Sequence, residues 1–158
     1  MRKKKSYRGF SLVELIAVIG ILALLASVVL FNLQEAKKNA RDAQRLSDLQ
    51  QIQLALRVYK DTHGNYPSYD AGDKIGDSVG FDVDVAEYLS STIKDPLNTG
   101  TFAYYYDSAY TCGGIPHVVL VALTMEQSKN QNWNSVCNGT ELIAGATPNA
   151  NSYVLILR

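Results

Sequence analysis

The sequence predicts an α+β protein in which one long amino-terminal α-helix packs on a small antiparallel β-sheet. Three observations lead there. Residues 10–31 are almost wholly apolar, with Glu14 their single charge. Residues 32–60 continue without Pro or Gly and repeat small or apolar residues every three or four positions. The last part of the chain holds three β-branched or aromatic runs of strand length, one of them alternating.

The first element is charged. Arg2, Lys3, Lys4, Lys5 and Arg8 run into Gly9, which opens directly onto Phe10-Ser11-Leu12-Val13-Glu14. The apolar run that begins at Phe10 is long enough to cross a bilayer as a helix, about 33 Å at 1.5 Å per residue. A secretory signal has a shorter apolar stretch, with small residues after it. Here the small residue comes before the run. A cut between Gly9 and Phe10 therefore removes only residues 1–9 and keeps the hydrophobic helix. An uncleaved single-pass anchor explains the hydrophobicity and the charge, but not Gly9, Phe10 and Glu14 together. A carboxylate in a membrane helix costs ~2.5–3.5 kcal/mol near the bilayer centre and marks a functional site whose partner must be named. Cleavage creates an α-amine at Phe10. Glu14 of one copy is expected to pair with that cation on a neighbour, a contact that sets register more than stability.

Past the apolar half, Ala36, Ala40, Ala43, Leu46, Leu49, Ile52, Leu56 and Tyr59 form one stripe expected to face the sheet, with Lys38, Arg41, Asp48 and Arg57 on other faces. Gly64 and then Pro67 supply the stop. The helix divides into an apolar part, residues 10–33, and an amphipathic part, residues 34–61.

A head of residues 62–158 follows, with an irregular loop over 62–100 and the sheet over 101–158. Asp70, Asp73, Asp77, Asp82 and Asp84 stud a Gly-containing stretch. Their spacing does not match an EF-hand, and such loops are usually solvated turns, so calcium is the minority reading and no cofactor is expected. Residues 83–90 suit a short helix, and Lys94-Asp95-Pro96-Leu97-Asn98 a turn. In residues 101–108, Phe102, Tyr104 and Tyr106 share one face, with Ala103, Tyr105 and Asp107 on the other. Residues 117–125 read as a buried central strand and residues 152–157 as a third.

Fifteen basic residues balance fifteen acidic ones, but five of the bases lie in the leader, so the remainder is acidic. That argues against a head gripping nucleic acid through bulk charge. The dense leader is expected in the cytosol, although Lys37, Lys38, Arg41 and Arg45, interleaved with Glu35 and Asp42, flank the far end. The head then faces an oxidising exterior, where Cys112 and Cys137 are able to bridge across 24 intervening residues. Closing that loop contributes roughly 3 kcal/mol in the chain-entropy account. Two free buried thiols is the alternative, and neither Cys has a second ligand at zinc-like spacing, so no metal site is expected. His63 and His117 are the near-neutral acid–base groups, read as helix-end and strand-edge residues. No nucleophile arrangement or phosphate loop accompanies them, so an enzyme is not expected. Trp133, Asn134 and Asn138 fall in a late loop, where Asn138-Gly139-Thr140 is a chance match to a glycan acceptor.

Taken together, Lys3-Lys4-Lys5-Ser6-Tyr7-Arg8-Gly9-Phe10-Ser11-Leu12-Val13-Glu14-Leu15-Ile16 resembles the signal of type IV prepilins and pseudopilins. Residues 59–67 (Tyr59-Lys60-Asp61-Thr62-His63-Gly64-Asn65-Tyr66-Pro67) are similar to the helix exit of pilins and of the major pseudopilins of type II secretion. Asp95-Pro96-Leu97-Asn98 with Tyr104-Tyr105-Tyr106 is similar to their turn before the first strand; beyond Ser108 the match is to architecture. The resemblance implies the pilin fold, cleavage after Gly9 by a prepilin peptidase, N-methylation of Phe10 and assembly through Glu14. It implies a helical polymer of this chain with other pilins, built on an inner-membrane platform from subunits held in lipid, amino terminus cytoplasmic and head outside. A type IV pilus subunit for adhesion, twitching motility or DNA uptake is the leading expectation. A type II secretion or competence pseudopilin is the alternative, and a monomeric anchored binding module the second. The chain departs from the family at Phe31, where many members carry a helix-breaking Pro; Gly20 and Asn32 are the remaining kink positions. It also lacks the later acidic loop in which major pseudopilins often hold calcium, which favours a pilin.

Overall fold

The computed structural model describes residues 9–69, 73–112, 115–132 and 151–157. The leader bases, Asp70, Trp133, Asn134, Cys137 and the Asn138 sequon lie outside them, as does the Cys112 side chain. The expected disulfide is therefore not visible. Helix α1 spans Leu12–His63. The chain forms two compact units, residues 1–37 and 38–158. In the first, α1 carries an apolar surface that is exposed among the described residues; Phe10 is 82% exposed and Leu24 72% exposed. The segment is long and apolar enough to cross a membrane.

In the second unit, α1 buries Leu49, Ile52, Ala55 and Leu56 and ends at His63. Gly64 stops it. Its φ of 84° is a conformation that L side chains rarely adopt, and its N–H donates to the Lys60 carbonyl at 2.7 Å. The irregular stretch that follows holds an unexpected edge strand, β1 (Asp73–Ile75), then a short helix α2 (Phe81–Val85) and a 3-10 turn over Ala86–Tyr88. Three residues are too few to show alternation, so β1 left no pattern in the sequence. Phe81 and Val85 plug it into the core.

The sheet has the order β1-β2-β3-β4, antiparallel throughout, with β2 Tyr104–Cys112, β3 Ile115–Ala122 and β4 Tyr153–Leu157. Asp73 pairs with Tyr106, Tyr104 with Ala122, and Ala122 with Tyr153. Strand β2 starts three residues later than expected and runs four further, past an irregularity between Asp107 and Tyr110 where Asp107 Oδ1 accepts the Ala109 N–H. The expected alternation holds. Tyr104 and Tyr106 join Leu49, Ile52, Leu56, Phe81 and Leu120 in one core, while Ala103, Tyr105, Val119, Val121 and Val154 form another.

The amphipathic stripe needs a correction. Leu46, Leu49, Ile52, Leu56 and Tyr59 do face the core, but Ala36, Ala40 and Ala43 are exposed. Their place on the inward line is taken by Asp42 and Arg45, and Asp48 is buried rather than on an outer face. Positions 42, 45, 49, 52, 56 and 59 keep the three-and-four spacing equally well. Polarity hid two of them.

Candidate functional site

At the amino end, Gly9 and Phe10 precede the helix and are exposed. Ser11 stands at the cap: its carbonyl accepts the Leu15 N–H at 3.2 Å, and its own N–H donates to Glu14 Oε2 at 3.0 Å. Ser11-Leu12-Val13-Glu14 thus supplies the acidic arm of a capping box, in which a first-turn carboxylate satisfies an orphan amide and meets the positive end of the helix dipole. Glu14 therefore has a local partner within its own chain. The carboxylate retains further lone pairs for a second donor. The expected site residues Gly9, Phe10 and Glu14 lie together within one turn of the helix start, ahead of the exposed apolar surface.

In the second unit the dominant polar feature is an ion cluster that sequence reasoning missed. Arg45 is wholly buried. Its Nε and Nη2 donate to Asp95 Oδ2 and Oδ1 at 2.7 and 3.1 Å, and its Nη1 to Asp42 Oδ1 and Glu126 Oε1 at 2.7 and 3.1 Å. The Phe102 ring lies 4.9 Å from its guanidinium carbon. Burial by itself lowers the guanidinium pKa, but the hydrogen bonds and charges of Asp95, Asp42 and Glu126 outweigh it and hold the pKa above the ordinary Arg value. Asp42 also accepts the backbone N–H groups of Glu126 and Gln127 and the Asn130 side chain, at 2.9, 2.8 and 3.0 Å. Arg41 adds a bidentate pair to Glu126 and holds that carboxyl below the usual Glu range. The cluster therefore clamps two loops, before β2 and after β3, to the helix. Its signal was the phase of the apolar stripe, which runs straight through positions 45 and 42.

The loop carboxylates have structural work. Asp82 accepts the N–H groups of Gly76 and Ser78, Asp73 that of Phe81, Asp84 the Tyr69 hydroxyl, and Asp77 pairs with Lys74. Among the described residues no group of three or more His, Cys, Asp or Glu is arranged to hold a metal ion. Asp95 Oδ1 accepts the Leu97 and Asn98 N–H groups, building the expected turn. His63 stacks on Tyr59 with ring centroids 4.1 Å apart at the helix end, and His117 lies in β3 opposite Tyr110.

A long helix whose apolar start is exposed among the described residues, ahead of a small four-stranded antiparallel sheet, gives the chain an α+β layout. Residues 4–30 match the family described as the prokaryotic N-terminal methylation motif. The type II secretion system core protein G of Pectobacterium carotovorum is 42% identical over 65 residues, 41% of this chain and 42% of that protein. Its counterpart in Escherichia coli is 38% identical over 72 residues, 46% of this chain and 50% of that one. The type IV wide pilus major component PilA4 of Thermus thermophilus is 34% identical over 67 residues, 42% of this chain and 51% of that protein. The chain spans about half the length of the curated relatives it matches. No solved structure gives a significant match.

Proposed function

We propose that the chain is a structural subunit of a type IV pilus or related filament, polymerised through the amino-terminal part of α1. One observation carries this reading: an apolar helix segment exposed among the described residues and overlapping the stretch 4–30 that matches the methylation motif. Lipid covers that surface before assembly and other copies cover it afterwards, so apolar area stays out of water at both stages. A prepilin peptidase cuts between Gly9 and Phe10 and methylates the new amine. Glu14 keeps its bond to the Ser11 N–H and gains a charged donor from the Phe10 amine of a neighbour. The subunit starts as a single-pass membrane protein, head outward, and is drawn into the fibre by an assembly platform. No reaction is assigned to the head.

A secretion pseudopilus is the second reading, favoured by the relatives named as type II secretion core protein G. Intact-mass measurement of the protein from cells tests both at once. Loss of residues 1–9 with a methylated Phe10 is expected, and recovery of the full basic extension overturns the filament. Glu14→Ala is expected to be processed yet to abolish fibre output. Glu14 touches only Ser11 among the described contacts, so the head should fold unchanged.

A further inference from the structure

Asp48 is a carboxylate that the fold buries and only half satisfies. It is 8% exposed. The Tyr104 hydroxyl donates to Oδ2 at 2.7 Å, and among the described residues nothing donates to Oδ1. Burial raises its pKa above the ordinary Asp range against the pull of that hydroxyl. A buried carboxylate oxygen without a donor costs free energy, so a donor from outside the chain is favoured there. Oδ1 is not sealed from solvent. Asp48 lines a pocket of about 300 Å³, walled by Gln44 and Gln51 of α1 and by Ser91, Thr92 and Lys94 of the segment facing it. Gln44, Ser91, Thr92 and Lys94 use none of their side-chain donors or acceptors on other described residues, and Gln51 reaches only Ser47, at 3.5 Å.

Charges of both signs surround this pocket. Lys94 stands in its wall, Arg45 and Asp95 act on Asp48, and Asp82 lines the hollow that adjoins through Ser91 and Thr92. A ligand of either net charge is therefore opposed by one of them. Amides and hydroxyls both donate and accept, and they match a neutral ligand that does the same. Across Gln51 the groove continues past Leu54, Val58 and the Tyr88 ring. Sugars combine a rim of hydroxyls with apolar C–H faces, and tyrosine offers an apolar body with a polar tip. From Gln44 to Val58 the helix runs about 21 Å, room for linked rings rather than one. We propose that this groove binds a neutral oligosaccharide, with one hydroxyl donating to Asp48 Oδ1 and others exchanging hydrogen bonds with Gln51 and Thr92. The site is separate from the amino-terminal segment and does not depend on the filament reading.

The test titrates full-length protein, held in micelles of lauryldimethylamine oxide (a detergent without a sugar headgroup), with maltotetraose, cellotetraose and chitotetraose. The side-chain amide signals of Gln44 and Gln51 are followed by NMR. Movement of these signals by at least one of the three sugars, with a Kd of about 1 mM or tighter, is expected. Asp48→Asn should weaken that binding about tenfold or more, because one of its two acceptor oxygens becomes a donor. Should that variant fail to fold, Thr92→Val, exposed and outside any helix or strand, decides in its place and should weaken binding several-fold. No movement with any of the three sugars overturns the proposal, and so does binding that the deciding variant leaves unchanged. Movement of the same signals by glycine or inorganic phosphate, without an effect of the sugars, gives the pocket to an ionic ligand and overturns the neutral one. Fibre formation is neither needed nor read, so this result and that of the filament test are independent.

Discussion

Leu24 and Leu49 lie on the same helix and meet opposite surroundings: the first is 72% exposed and the second completely buried. Around Leu24 every described side chain from Phe10 to Leu33 is open, and the side-chain polar bonds among the described residues there are local, the Glu14 cap and a Ser27 hydroxyl donating to the Leu24 carbonyl. Around Leu49 the chain supplies its own interior, with Tyr104, Tyr106, Phe81 and Leu120. The difference shows that a helix can be specified by its own residues while its solvation is not. The head portion is solvated by the fold. The amino-terminal portion is left exposed among the described residues, the surface that lipid and neighbouring copies cover in the proposed function.

Variants that act on one side of this contrast and spare the other sharpen it. The largest effect on the head is expected from Arg45→Ala. It strands Asp42, Asp95 and Glu126 around a buried gap and should cost about 3–5 kcal/mol in denaturant unfolding of the full chain. Leader removal should proceed as before in cells that retain the protein. Next comes Tyr104→Phe. The Tyr104 hydroxyl donates to Asp48 Oδ2 at 2.7 Å inside the core, and its loss leaves that carboxylate short of a donor, for about 1–3 kcal/mol. Burial already pushes the Asp48 carboxyl above the ordinary Asp range against the pull of this hydroxyl, so a carboxyl titration by NMR should find it higher still in the variant.

A smaller effect is expected in acid. The hydrogen bond from Arg41, together with Arg45, lowers the Glu126 pKa below its unfolded value, so this group contributes stability above about pH 4.3 and loses it as pH falls through its folded pKa. Asp48, with its pKa raised, has the opposite sign and loses its contribution as pH rises. Arg41→Met should therefore flatten the acid limb of the unfolding profile relative to the parent chain. An unchanged acid limb would show that the pair is silent. The smallest effect on the head is expected from Leu24→Ala, under about 0.5 kcal/mol by the same unfolding measurement, because that residue is 72% exposed among the described residues. Its fibre yield should fall nonetheless. A head destabilised by Leu24→Ala would break the contrast between the two portions.

Much of this was legible in the residues. The apolar run, the Gly64 stop, the two faces of the tyrosine strand and the turn at Asp95 rest on local rules that a pattern of neighbours satisfies. Strand β1 was not legible, because three residues carry no period and its pairing to Tyr104–Tyr106 is made across a gap of about thirty positions. The inward turn of Asp42, Arg45 and Asp48 was hidden for a related reason. Charged residues are assigned to the surface by default, and the partners that make them tolerable inside, Asp95 and Glu126, are 50 and 81 positions from Arg45. The same default placed Ala36, Ala40 and Ala43 against the sheet, since small residues fit either side of a helix.

By itself, then, the amino-acid order determined that α1 is one long helix, that its start is apolar and that Gly64 stops it, all of which depend on contacts within a few positions. Only the tertiary structure decided which way the amphipathic part of α1 faces, because that choice turns on charges meeting across distant segments. Local propensity has a range of a few residues, whereas burial of a charge is settled by whatever the rest of the chain brings to it.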